Sequence, residues 1–549
     1  MIEKIETDVL VVGSGAAGLC AAIAARQGNA ETLVASITSP GAGCSTAVAG
    51  GIMNAAVGPD DSPELHLEDS LRSGLLLNDH PLITAVVDRI AGWLPTLEEY
   101  GVVFAKEDGR YRVARSPGHI QARTTQFEPK VGVTLSRPLA ATAQRLGART
   151  LPNFNLVKIL VQGGRAEGAI GYVWQDDRIV HVAAKVVVLA TGGAAHLYSF
   201  TRIPPGVPGD GYGIALDAGL PLQDMEFVQF YPTVLAEPGA ARMLIGYEYL
   251  LRGGAIFKNA VGEDIVAKYR LPEPEMITRD QLSIAIAREV HEGRGVDGAI
   301  FLDASGCQVD VGSPLYSSGP FMRMVRERRA HGEDLFARPI RVAPANHYYM
   351  GGVQAGPDGE TTVECLLACG EVVGGTHGAN RLQGNSLAET VVSGFATGAN
   401  AASRSARTPA LHARGAVEEA RELRAALARN SGTPVRDIVK SLQATMTAKA
   451  GIVRDGAGLR EARTVIDTLR RELPRAVAMA PAERAQLCTL GRLLDTADCV
   501  AACALARKES RGAHFRLDCL DRDDSHWVKH VTCAKSGGGI VVAECPVRV

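Results

Sequence analysis

Three glycines at the spacing Gly13-x-Gly15-x-x-Gly18 could hold a pyrophosphate. Glycines in that pattern leave amides bare at a helix N-terminus, and Ala16 and Ala17 add little bulk there. The pattern alone serves NAD as well as FAD. A usual NAD site places Asp or Glu at the end of the second strand for the ribose, whereas this chain offers Ser36. Far downstream, Ala190-Thr191-Gly192-Gly193 and Gly209-Asp210-Gly211 add the second wall and further loops that the ribityl and ring portions of FAD need. Residues 41–58 are rich in Gly, Ala, Ser and Thr, the composition of a binding loop that lets backbone approach a ligand.

The elements around these residues follow from patterning. The β-branched run at 9–12, the glycines and the helix-forming stretch 19–26 predict strand, turn and helix. Residues 32–36 predict a second strand, 65–101 show helical periodicity, and the apolar strand 186–190 runs straight into Thr191-Gly192-Gly193. The expected fold is α/β: a Rossmann-like FAD-binding domain over 1–235 and 345–405, interrupted by an inserted α+β capping domain at 236–344. The Ala-, Arg-, Glu- and Leu-rich span 406–506 predicts a helical domain. A small β-containing domain follows at 507–549, with a glycine-turned hairpin around Ser536-Gly537-Gly538-Gly539.

Charge argues against two classes of partner. Basic side chains number 58 and acidic ones 60, so no bulk field favours nucleic acid or an anionic membrane. The 11 Cys lack the spacing of zinc or iron–sulfur ligands, so no metal site is expected. The opening residues lack a basic leader and the apolar stretch 9–25 is broken by glycines, so no direct membrane span is expected and the cytoplasm is the expected compartment. Any membrane association would run through a partner.

Blocks along nearly the whole chain resemble the flavoprotein family of succinate dehydrogenase, fumarate reductase, L-aspartate oxidase and the adenylylsulfate reductase α subunit. The blocks include residues 8–18, Ala49-Gly50-Gly51-Ile52, Met225-Glu226-Phe227-Val228-Gln229-Phe230, Glu292-Gly293-Arg294-Gly295, and His347-Tyr348-Tyr349-Met350-Gly351-Gly352. Gly370-Glu371, residues 377–387 and Glu509-Ser510-Arg511-Gly512-Ala513-His514 continue the match. The resemblance implies that Asp210, Tyr348, Glu371, Arg381, Ser386 and Leu387 contact FAD, and that Cys44, Ser45, Thr46, Gly50 and Gly51 line its ring. It also implies that Arg294 shuttles the proton while His347 and Arg381 clamp a substrate carboxylate. Such a clamp suits the chemistry, since a guanidinium grips a carboxylate through two parallel donors.

Three departures set expectations about substrate and cofactor. Cys44 stands where covalently flavinylated members carry histidine, so FAD is expected to be noncovalent, with a cysteinyl link as the alternative. Tyr231 replaces a ligand histidine. The block that supplies the family's proton relay is rearranged in 246–254: an ungapped alignment loses every relay residue, whereas one insertion plus one deletion, the alignment preferred, keeps Glu248 and Arg252 as the relay pair and puts Tyr247 in place of a substrate-binding threonine. The expected activity is addition or removal of hydrogen across a carbon–carbon bond of a small carboxylate, substituted or larger than succinate, with electrons carried by an iron–sulfur protein subunit. The alternatives are an L-aspartate oxidase-type enzyme and a noncatalytic flavin-binding electron-transfer subunit.

Overall fold

A computed structural model describes residues 2–307, 320–409 and 415–549. Parts of the expected capping span (308–319) and helical span (410–414) lie outside the described residues. The principal sheet is built on β1 (Glu3–Val12), which pairs in parallel with β2 (Thr32–Ala35) on one side and with Arg178–Leu189 on the other. Val9, Leu10, Val11 and Val12 are buried, as expected for a parallel strand covered on both faces. The hairpin strands Phe154–Gln162 and Arg165–Val173 extend the sheet antiparallel, and Leu366–Ala368 joins the C-terminal half of Arg178–Leu189.

Helix α1 (Ala16–Gln27) packs on this sheet through small residues. Helix Asn385–Arg407 lies so close to it that a Cβ at Gly394 or Gly398 would come within 2.5 or 2.2 Å of the carbonyl oxygens of Ala17 and Ala21. That approach brings the loop ahead of Asn385 beside the glycine turn of β1.

The cap is an antiparallel sheet of Val228–Leu235, Ile340–Tyr349, Ile300–Asp303 and Ile256–Lys258, with helix Arg279–His291 against it. Its strands begin at Val228 and end at Tyr349, outside the 236–344 expected for the cap, because two long strands cross from the cradle into it. Gln229 pairs with Tyr348 and Phe230 with Asn346, which leaves His347 as an extra residue in a bulge. A bulge re-aims a side chain, and here it turns His347 toward the cavity below the cap.

Helices Val435–Lys449, Gly456–Glu472 and Pro481–Ala506 form the helical part, and Thr496 on the last of them donates to the Gly209 carbonyl at 2.8 Å. The hairpin Lys529–Ser536 and Gly539–Pro546 turns at Gly537-Gly538 and pairs with Leu222–Gln223. His530, on the first strand of this hairpin, and Arg507 sit buried among Asp79, Asp224, Glu226 and Glu509. Among the described residues no helix is long and apolar enough to cross a membrane, and no group of three or more His, Cys, Asp or Glu is placed to hold a metal ion.

Candidate active site

One cavity of about 380 Å³ runs from the glycine turn of β1 to the underside of the cap. Gly13 has φ +113, and a Cβ there would sit 2.1 Å from the Ala190 carbonyl oxygen, so only glycine fits. Gly15 precedes α1 with no side-chain cap, and no acidic residue stands in the first turn, so the helix end is open to an anion. Gly15, Ala16, Ala17, Ser36, Cys44, Ser45, Thr46, Gly50, Ala190, Thr191 and Gly192 line the cavity with Gly13. Thr46 Oγ accepts from the Ala16 amide at 3.0 Å and ties the Gly-rich loop to the helix start.

Two expected lining glycines sit outside it. A Cβ at Gly18 would meet the Gly13 carbonyl oxygen at 2.1 Å, so its role is close packing of α1 on the turn. Gly51 (φ +69) faces the backbone of Lys130 and Val131, with a Cβ 2.3 Å from the Val131 amide.

Further along, Asp210, Tyr348, Glu371, Ser386 and Leu387 line the same cavity. Burial raises Asp210 to about 6 and Glu371 to about 7, and Glu371 accepts the Tyr349 amide at 3.1 Å. Thr191 Oγ is buried without a partner. An open helix end, a turn with no room for Cβ atoms and an orphan hydroxyl together fit a dinucleotide stretched along this wall. Burial also pushes the Cys44 thiol up, which disfavours its thiolate.

The cap end of the cavity is cationic. Arg279, the first residue of helix Arg279–His291, donates to Gln229 Oε1 at 3.2 Å, and Arg381 donates to the same oxygen at 2.7 Å. Gln229 Nε2 donates in turn to Asn380 Oδ1 at 2.9 Å and to the Arg381 carbonyl at 3.0 Å. Among the described residues neither guanidinium has a carboxylate partner, and the Nε atoms of both are buried without a bond. Burial, with Arg279 close by, lowers Arg381 to about 9. His347 is held neutral by burial and by Arg279, Arg381 and Arg202, and its Nδ1 has no partner.

Tyr231 lies 5.5 Å from the His347 ring with the Arg279 guanidinium 5.0 Å over it, but its hydroxyl donates to the Ile245 carbonyl at 3.2 Å. Glu248 faces the cavity with Oε1 3.4 Å from Gln383 Nε2 and Oε2 unpartnered. Lys130 lines the cavity too, its ammonium lowered by burial against the attraction of Glu248.

Three residues expected at the site lie elsewhere. Arg294 does not line the cavity. It binds Glu289 Oε2 at 2.6 Å and Glu292 Oε2 at 2.5 Å, because the Glu292-Gly293-Arg294 segment terminates helix Arg279–His291 and the Arg294 amide donates back to the Glu289 carbonyl. Arg252 is drawn outward by Glu275 at 2.7 Å and is also absent from the lining. The Tyr247 hydroxyl is committed to the Ile277 carbonyl at 2.9 Å inside the cap core, so it offers nothing to a ligand. Sequence patterning does not single out Arg279, Lys130 or Arg202. For Arg279 a signal exists: Thr278 and Gln281 form a helix start, with the Thr278 amide donating to Gln281 Oε1 at 3.0 Å, and that start aims the next side chain back toward Gln229.

A family model described as FAD binding domain matches residues 8–387, and one described as Fumarate reductase flavoprotein C-term matches residues 439–549. A fumarate reductase (CoM/CoB) subunit of Methanothermobacter marburgensis is 34% identical over 530 residues, covering 94% of this chain and 95% of that protein. The L-aspartate oxidase of Streptomyces coelicolor is 34% identical over 540 residues, covering 96% and 91%. The fold is similar to that of a variant FrdA chain of Escherichia coli quinol fumarate reductase, with a TM-score of 0.90 at 29% identity over 100% of this chain and 98% of that one.

Proposed function

This chain belongs to the fumarate reductase flavoprotein family of FAD-dependent oxidoreductases acting on CH–CH groups, and from that premise we propose that it interconverts a saturated and an α,β-unsaturated carboxylate substituted or larger than succinate. The observation that carries this reading is the pair Arg279 and Arg381, which share one carbonyl oxygen of Gln229 and meet no carboxylate among the described residues. Two adjacent guanidiniums with no carboxylate in ion-pair contact make a receptor for an anion.

In this reading Arg381 grips the acid through two parallel donors, withdraws electron density and so acidifies the neighbouring carbon. His347, neutral, adds one hydrogen bond. Arg279, rather than Arg294, holds the proton exchanged with carbon. A guanidinium ordinarily titrates above about 12, so it moves a proton quickly only within a hydrogen-bonded chain. Glu248 and Lys130 provide groups for that chain in place of Arg252. Bound along the cradle, FAD supplies the two-electron partner for the carbon–carbon bond. The hydroxyls of Tyr231 and Tyr247 are both committed to backbone, which supports an altered second end of the acid site.

The test is an anaerobic absorbance screen of the FAD-loaded protein against mono- and dicarboxylates and their thioesters. A substituted or longer acid is expected to bleach the flavin. Rapid turnover with micromolar succinate or fumarate would overturn the altered-pocket part, and silence with every acid would overturn the whole reading. Peroxide formed with aspartate would assign an oxidase instead. An iron–sulfur protein is proposed as electron carrier, supported by relatives whose names describe them as subunits. Its test is whether the tagged chain, expressed in its native host, brings down a protein containing iron and sulfide.

A further inference from the structure

The cavity holds a second cationic feature that the clamp does not use. Arg202 lines it, and among the described residues no carboxylate lies within ion-pair distance of its guanidinium. Its Nη2 donates to the Val48 carbonyl at 2.6 Å, which leaves most of its five N–H donors for other partners. Arg202 is not a stray surface side chain. Burial lowers it to about 10, and its charge bears on both Tyr231 and His347, the two rings that border the acid site.

The surrounding chain fixes it in place. Arg242 donates to the Thr201 carbonyl at 2.9 Å and stacks 4.6 Å from Phe200, so it is a positioning residue for the segment that carries Arg202. Tyr231 cannot serve an acid on this side because its hydroxyl is taken by Ile245. The donor at this end of the cavity is therefore a guanidinium where a phenol is closed off.

We infer that Arg202 is a specificity-determining residue that reads a second anionic group, a carboxylate or sulfonate, on the acid whose first carboxylate is held by Arg279 and Arg381. The inference rests on the proposed clamp and names what lies at the other end of the substrate. A guanidinium that lines a cavity and is short of counter-charge rewards an arriving anion more than the same group in water.

The test compares acids matched in length but differing in one charge, butyrate with succinate and valerate with glutarate, together with 3-sulfopropionate. Binding to the FAD-loaded protein is read from flavin absorbance, with the flavin reduction potential and FAD content measured in parallel. The wild-type protein is expected to prefer the doubly charged member of each pair. In Arg202→Gln that member should weaken by about 10- to 100-fold, as for loss of a charged hydrogen bond, while the singly charged acid changes little. Arg202→Lys should restore part of the preference. Equal weakening of both members, an unchanged preference, or a shifted flavin potential with the preference intact would overturn the role, the last by assigning Arg202 to the ring. Arg381→Gln separates the two readings. If it abolishes binding of every acid while Arg202→Gln leaves the preference unchanged, the clamp stands and the inference falls; if it alters no acid, the clamp itself fails.

Discussion

At the scale of single residues, Arg279 and Arg294 are fifteen positions apart and have opposite surroundings. Arg279 is bound by the neutral oxygen of Gln229, whereas Arg294 is neutralised by Glu289 and Glu292, with Glu289 held well below the usual carboxylate range first by its hydrogen bond from Arg294. Arg279→Gln is expected to lower kcat by about 10²- to 10⁴-fold, the range for loss of a positioned proton donor. Arg294→Gln should keep turnover within a few-fold and lower the melting temperature instead, because Glu289 loses its principal partner. Steady-state rates and thermal melts on the two variants separate these outcomes. Arg381 sets a pH limit. A clamp needs the protonated guanidinium, so acid affinity should decline as pH rises through about 9, and a titration of the dissociation constant from pH 7 to 10 checks it.

At the scale of elements, the turn after β1 tolerates no side chain at Gly13. Gly13→Ala combines a φ of +113 with a Cβ 2.1 Å from the Ala190 carbonyl oxygen, so the purified variant should retain less than a tenth of its FAD, measured by absorbance after gel filtration. This turn was legible in the sequence because glycine spacing reports backbone geometry directly, and the same holds for the Gly537-Gly538 hairpin. The cap was legible as a change of pattern but not in its edges, because strands Val228–Leu235 and Ile340–Tyr349 belong to both bodies. Arg294 misled because a Glu-Gly-Arg-Gly string reads as a motif, yet Gly293 with φ +77 serves a helix stop. Tyr247 misled because alignment assigns a position but not a side-chain direction. Arg202 was invisible, since nothing local marks an arginine whose counter-charge is missing in three dimensions.

At the scale of the whole molecule, the C-terminal hairpin is fastened to the cradle through buried charge. Burial alone would lower His530, but Asp224 and Asp79 outweigh it and raise the imidazole to about 10. A histidine with a raised folded pKa stabilises the fold fully below its unfolded value of about 6.5 and loses that contribution as pH climbs through about 10. Urea midpoints should therefore fall across this window, and His530→Phe should flatten the fall. The cap has a related electrostatic property. Arg279 rides on the cap helix and Arg381 on the loop entering helix Asn385–Arg407, so like charges confront each other across the seam between two bodies. Gln229 Oε1 bridges the two guanidiniums across that seam, and an arriving anion adds a charged partner that both can share. The substrate is then a further rivet through a seam already joined, and amide hydrogen exchange at the start of helix Arg279–His291 should slow once a tightly bound acid is added.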